Sequence, residues 1–520
     1  MMWFGKLLLL LYLLAGLLPA ACAQTKYWVY FTDKPLATTH VPEQALSPAA
    51  IQKRKLLQIS TWQWTDVAVA PEYIAALTNV GASVVVVSKW LNAVSCYADA
   101  ASLARMEALP FVANIVPLAP PLRLLRHLPQ HPEEKQKEFG LAIKQMNATA
   151  LIERQLTAKD ILIGVIDAGF YGAASDEFLR HLFEENRILG VRDMVSPKRS
   201  TDFFNEPETA SDDHGTTVLQ MIAGLVPGKK QYGLATGAKF YLARTDHGER
   251  EFRAEEDYWI ASVEWMDSLG VRIINTSLGY AQGFDNPEEN YRPEQMDGKT
   301  TAVSRAARIA TEEKGLLLVV SAGNEGSTYN WRVVSAPADV EGVLSVGATT
   351  PAGIKTFYSS IGPEFLPYLK PNVSCLPQLS SGTSFSAPII TGLAACLMQF
   401  APTKSAKEII ATIEKSANLY PLGNNFIGYG IPNAERALSI LQGNTITKDY
   451  YQVSAKEQYL IERPARENQI VAVFHKSNPT QVVAQEVPPI HKTGLLVKKH
   501  KDAVRTTVVI GEELWEILWE

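Results

Sequence analysis

Cysteine is scarce in this sequence. Cys22, Cys96, Cys375 and Cys396 are four among 520 residues, with no C-x-x-C pair or other metal-ligand spacing. That excludes a disulfide-built fold and a cysteine-based metal site. A basic excess is also missing: 49 Lys and Arg stand against 54 acids, a formal charge of -5, so the chain has no electrostatic footprint for nucleic acid or an anionic membrane. The apolar run Leu7 to Leu18 has only 12 residues; it rises ~18 Å as a helix against a hydrocarbon core of ~30 Å, which argues against a transmembrane anchor. No internal repeat or low-complexity tract is visible. What remains is a composition of 47% apolar and 20% charged residues, with 33 Gly and 30 Pro spread along the chain. This is mostly globular protein, enough at ~100 to 200 residues per domain for two to four units.

The N-terminus is read as an export signal over residues 1–23: Lys6 precedes the apolar run, and Ala21-Cys22-Ala23 offers a small-x-small cleavage pattern before Gln24. The expected destination is secretion, or the cell surface or periplasm. Lipid attachment at Cys22 is the alternative, although Pro19 stands where an aliphatic residue is expected. Cleavage leaves three cysteines. Each is read as a small buried hydrophobe, and pairing of Cys375 with Cys396 stays open.

Residues 24–118 alternate short extended runs with helical ones, a small α+β unit. Residues 119–140, APPLRLLRHLPQHPEEKQKEFG, are rich in Pro and charge without a sustained period, which reads as an exposed linker carrying a processing site, with Arg123 and Arg126 its obvious basic residues. Over 141–443, near-continuous apolar strands alternate with helices, the pattern of a parallel sheet covered on both faces. Expected strands are Ile161 to Ile166, Lys239 to Ala243, Val271 to Asn275, Leu316 to Val320 and Val343 to Val346. Expected helices are His214 to Leu225, Ala254 to Leu269, Ala302 to Lys314, Ser384 to Phe400 and Ser405 to Ser416. Residues 444–520 return to short extended runs, a β-rich appendage.

Ligands of open parallel sheets lie beyond the carboxyl ends of the strands, so polar residues directly after buried strands are the candidates for chemistry. Asp167 abuts the run Ile161 to Ile166; such an acid needs specific partners, and by itself it is equally a helix cap or a metal ligand. His214, in Asp212-Asp213-His214-Gly215-Thr216-Thr217, opens a helix with an apolar face. Ser384, in Ser381-Gly382-Thr383-Ser384-Phe385-Ser386-Ala387-Pro388, precedes another. A serine there is an N-cap, or a hydroxyl placed where the helix dipole favours developing negative charge.

With Asn324 in Ser321-Ala322-Gly323-Asn324-Glu325-Gly326, these motifs, in the order Asp, His, Ser, resemble the subtilisin-like serine proteases over about 300 residues. The resemblance implies a three-layer α/β fold built on a mostly parallel sheet. It implies Ser384 as nucleophile, His214 as general base, Asp167 as its orienting acid, and Asn324 as an oxyanion donor. Asn275-Thr276-Ser277-Leu278-Gly279 resembles the stretch on which these proteases lay substrate backbone, so Ser277, Leu278 and Gly279, with Ser321, Ala322 and Gly323, are the implied substrate-binding residues. Ser335, by its distance from Asn324, is the candidate floor of the primary pocket. The segment before the linker resembles the inhibitor-type propeptide, an intramolecular partner in folding and inhibition. The family pattern departs here at Thr217, where a second histidine is frequent, and in the short interval from Pro371 to Ser384. The implied function is a secreted, monomeric serine endopeptidase made as a zymogen and acting on peptides and proteins; the alternative is an exported noncatalytic binding or scaffold protein on the same fold. No cofactor is expected for the chemistry. Calcium, common among relatives, has no assignable ligands in this sequence.

Overall fold

The computed structural model describes residues 24–35, 45–118, 139–196, 202–209, 211–248, 250, 252–444, 449–463, 471–491 and 493–520. The signal segment with Cys22, and the expected linker with Arg123 and Arg126, lie outside the described residues except for Phe139 and Gly140.

The described residues fall into two compact units, one drawn from 1–40 and 64–121 and one drawn from 41–63 and 122–520. In the first, β1 (Thr25–Phe31) is followed, after the excursion into the second unit that carries α1 (Pro48–Leu56), by α2 (Pro71–Asn79), β2 (Ser83–Ser88), β3 (Ala93–Ala98), α3 (Ala100–Glu107) and β4 (Val112–Leu118). The strands form an antiparallel sheet in the order β2-β3-β1-β4. Asp99 caps α3 by accepting the Ser102 N–H, and Leu77 and Met106 pack with Val29, Val94 and Cys96 as one core. The extended and helical runs of this unit fall where the sequence pattern puts them. Residues 41–63, read above as part of it, group instead with the second unit.

The second unit is built on seven parallel strands: β5 (Leu162–Asp167), β6 (Ile188–Asp193), β7 (Lys239–Arg244), β8 (Ile273–Thr276), β9 (Leu317–Ser321), β10 (Leu344–Ala348) and β11 (Val373–Cys375), in the order β11-β10-β9-β8-β5-β7-β6. Alternate residues of β5 face opposite layers. Ile163 and Val165 enter a core with Val218, Leu219 and Ile222 of α4 (His214–Ala223). A Cβ on Gly164 would instead meet Met266 of α5 (Ala254–Ser268). Next along the chain come α6 (Ala302–Arg308), α7 (Ala387–Phe400), α8 (Ala406–Ser416) and α9 (Ala434–Leu441). Residues Thr383–Phe400 are apolar enough to cross a membrane by length and hydropathy, but 89% of that window is buried inside the fold, which explains its composition as core.

The differences from expectation have local causes. β6 and β11 were not anticipated: β6 is a half-buried edge strand interrupted by Gly190, and β11 has three residues. The helix expected over Ala302 to Lys314 ends at Arg308 and widens into a π turn over Ile309–Glu313. Ser384 is not in α7 but in a preceding 3₁₀ turn, Thr383–Phe385, because Pro388 sits in the first turn of α7, where its missing N–H costs nothing. Cys375 and Cys396 are buried free thiols, as is Cys96.

The C-terminal region forms a sheet of β12 (Tyr451–Ala455), β13 (Val471–Lys476), β14 (Val482–Glu486), β15 (Arg505–Ile510) and β16 (Glu513–Trp519), in the order β12-β16-β15-β13-β14. One of its faces is completed by Leu419, Phe426 and Ile427 of the α/β region, which pack with Phe474, Val509 and Leu514.

Candidate active site

The strand order reverses at β5, which lies between β8 and β7. This is the switch point at whose carboxyl edge open α/β sheets form their clefts, and Asp167 is the last residue of β5, fully buried. Its Oδ1 accepts the Ala168 N–H at 2.9 Å and lies 2.6 Å from His214 Nδ1. The approach of α4 depends on glycine. The Gly215 N–H donates to the Gly169 carbonyl at 2.8 Å, and a Cβ on Gly215 would collide with that oxygen and stand 2.9 Å from the Asp167 Cβ. Burial works against protonation of His214, but Asp167 outweighs it through charge and hydrogen bond, with Asp213 and Asp246 adding to the effect, so its pKa lies above the ordinary imidazole value. The ring packs against Phe385, centroids 5.1 Å apart, which brings the Ser384 turn to the imidazole.

Ser384 is joined to the end of β8 by reciprocal bonds. Its Oγ donates to the Ser277 carbonyl at 3.1 Å, and the Ser277 Oγ donates to the Ser384 carbonyl at 2.9 Å. Asn275 Nδ2 donates to the Ser277 hydroxyl, and Thr391 Oγ1 donates to Asn275 Oδ1. Ser384 is 8% exposed. Its hydroxyl is therefore engaged with Ser277 rather than with the imidazole.

Asn324 follows β9. Its Oδ1 accepts from the Thr383 N–H at 2.9 Å and the Thr383 hydroxyl at 3.1 Å, so the carboxamide is fixed with Nδ2 on the side of Gly382. The first N–H groups of a helical turn have no intrahelical partner, and Ser384 lies in such a turn. Asn324 and Ser384 are thus both placed to present N–H donors. Ser335 Oγ is buried without a hydrogen-bond partner among the described residues. A Cβ on Gly279 would run into it and one on Gly323 would stand 3.2 Å away, so the Ser277–Gly279 and Ser321–Gly323 stretches converge on Ser335.

Three participants were not foreseen. Thr383 holds Asn324. Arg244, at the end of β7, donates from Nε to the Ala168 carbonyl at 2.9 Å, from Nη1 to Asp193 and Glu208, and from Nη2 to Asp212 at 3.2 Å; one buried cation ties the loop after Asp167 to the loop before His214. Asp246 is the third, a buried acid two residues beyond β7. The available signal was the strand-end rule applied to Asp167, which holds equally for the residues following Lys239 to Ala243.

A model of the subtilase family matches residues 158–430. This chain belongs to the subtilase family. A model of the peptidase S8 propeptide domain of Bacteroidota matches residues 26–137 of the subtilase, so it is a serine peptidase made as a zymogen, its propeptide acting within the chain as inhibitor and folding aid. Subtilisin NAT of Bacillus subtilis subsp. natto is 26% identical to it over 360 residues, 67% of this chain and 81% of that one. The subtilisin of Bacillus pumilus is 27% identical over 306 residues, 57% and 97% of the two chains. Among solved structures, the MycP3 protease from the type VII (ESX-3) secretion system aligns with a TM-score of 0.44 at 19% identity, over 61% of this chain and 94% of that one.

Proposed function

We propose that this subtilase is a secreted endopeptidase that hydrolyses peptide bonds through an acyl-enzyme on Ser384. The Ser384 Oγ attacks the scissile carbonyl carbon. His214 takes its proton on the ring nitrogen opposite Asp167 and returns it to the leaving amine, and water then releases the acyl group by the same route. Asp167 holds the imidazole in the required tautomer. Asn324 Nδ2 and the Ser384 N–H donate to the oxygen as it becomes an anion. The substrate lies extended, adding as a strand beside Ser277, Leu278 and Gly279 and meeting Ser321, Ala322 and Gly323. The observation that carries this reading is the 2.6 Å contact of Asp167 with His214 Nδ1, beside a serine held at the same sheet edge. The bond from Ser384 to the Ser277 carbonyl is compatible with this role, since catalytic hydrogen bonds often form fully only in the complex with substrate. The chemistry as proposed uses no cofactor. Residues 1–23 direct export, and cleavage within 119–140 separates propeptide from enzyme. Ser384→Ala is expected to abolish casein cleavage and self-processing, leaving a folded, unprocessed precursor. Full activity of that variant would overturn the proposal.

A further inference from the structure

The acyl-transfer machinery leaves one buried acid beside it without a task. Strand β7 runs in register with β5, Arg244 opposite Asp167, and the Thr245 N–H donates to the Asp167 carbonyl at 3.1 Å. Asp246 therefore leaves the sheet at the same carboxyl edge as Asp167. It is 8% exposed, its Oδ2 accepts from the Thr245 hydroxyl at 2.5 Å, and the Tyr280 side chain stands beside its carboxylate. Tyr280 is itself buried, and its hydroxyl donates to the Glu255 carbonyl at 3.3 Å. At the same edge stands Asp167, whose Oδ2 is buried with no hydrogen-bond partner among the described residues. A buried carboxylate near a like charge is costly, and a purely structural position would be served as well by an amide or an apolar group.

We infer that Asp246 is a positioning residue for catalysis, a second carboxylate that stabilises the imidazolium form of His214 through space. This rests on the reading of His214 as the general base. Among the described residues, the charged and titratable groups acting on it are Asp167 from β5, His214 from α4 and Tyr280 from the segment after β8. Asp213 acts on the same imidazole, and Glu255 of α5 is occupied with the N–H groups of His247 and Phe252. Burial chiefly, and then the charge of Asp167, push the pKa of Asp246 up to about 7, against the opposing pull of Thr245, His214 and Tyr280. The group thus changes charge near neutrality, and its charge raises the pKa of the imidazole. When Asp246 is ionised, the proton taken from Ser384 is received next to two negative charges instead of one. When it is protonated, His214 is the weaker base.

The test is the pH dependence of kcat/KM on a peptide substrate for wild type, Asp246→Asn, Asp246→Glu and Tyr280→Phe, with fluorophosphonate labelling of each protein followed over the same range. The wild-type acid limb is expected to carry two ionisations, the upper one near neutrality. Asp246→Asn leaves one, moved down by about one pH unit, with a several-fold lower plateau. Asp246→Glu restores the second. Tyr280→Phe moves the upper ionisation to higher pH and leaves the lower one in place, because the Tyr280 hydroxyl favours the ionised form of the carboxyl. A uniform loss of activity in Asp246→Asn with a wild-type limb overturns the inference, as does an unchanged limb in Tyr280→Phe should Asp246→Asn not fold. If wild type itself fails to label, the reading of Ser384 and His214 falls, and this inference with it; labelling of wild type with pH-insensitive variants refutes the inference alone.

Discussion

Thr383 shows how a residue outside the reacting set decides its geometry. By giving both its N–H and its hydroxyl to Asn324 Oδ1, it turns the amide nitrogen toward the nucleophile turn, and a donor so fixed is worth more than one that must reorganise as charge develops. Asn324→Ala should therefore lower kcat by about 100- to 1000-fold, a scale measured on the asparagine of a subtilisin, with little change in KM. Steady-state kinetics on one peptide decide it: a raised KM with an unchanged kcat would mean that Asn324 binds ground state and transition state alike. Asp167, His214 and Ser384 were legible as residues because each follows or opens an element that is otherwise apolar. Arg244 was not, since an arginine closing a strand reads as a solvated end. Only the fold brings Asp193, Glu208 and Asp212 around it.

At the scale of elements, the buried strands were legible in their apolar runs, whereas β6 and β11 lacked the length or continuity to register. The position of α1 was not legible at all. Its helical pattern is local, but its attachment is a long-range ion cluster: Lys53 Nζ lies 2.6 Å from Asp267 Oδ1 and Arg54 Nη2 lies 3.1 Å from Asp267 Oδ2, with the side chains almost fully buried. One carboxylate serves two cations there. Burial raises the pKa of Asp267, but Lys53 and Arg54 outweigh it and hold it below the ordinary value; burial dominates at Lys53 and lowers its pKa in spite of Asp267. Removing the shared carboxylate takes from two buried cations the acid that both contact, a loss of about 3 to 5 kcal/mol. In the precursor kept intact by Ser384→Ala, Asp267→Asn should lower the urea midpoint accordingly, and an unchanged midpoint would show that the cluster contributes nothing net. A carboxylate with a depressed folded pKa contributes stability that is fully present above its unfolded pKa and is lost as the pH falls through the folded one. The parent precursor should therefore lose more stability on acidification below the ordinary carboxylate range than Asp267→Asn does.

For the molecule as a whole, the sequence separates into segments of different character, and the structure rearranges that order. The α/β region and the β-rich tail share a core through Phe474, Val509 and Leu514 with Leu419, Phe426 and Ile427, a contact that no local pattern announces. Residues 41–63 belong by packing to the larger unit, although they lie within the propeptide match. Short-range periodicity records which face of an element is buried, not which distant element buries it, and for that reason the site motifs were readable while their supports were not. The central claim is that Ser384 is the nucleophile of this subtilase. Its most direct test is mass-spectrometric mapping of the fluorophosphonate adduct on the purified, processed protein. The account predicts a single adduct on the peptide containing Ser384, absent from Ser384→Ala. An active enzyme whose adduct lies on another residue, or which carries none, would contradict it.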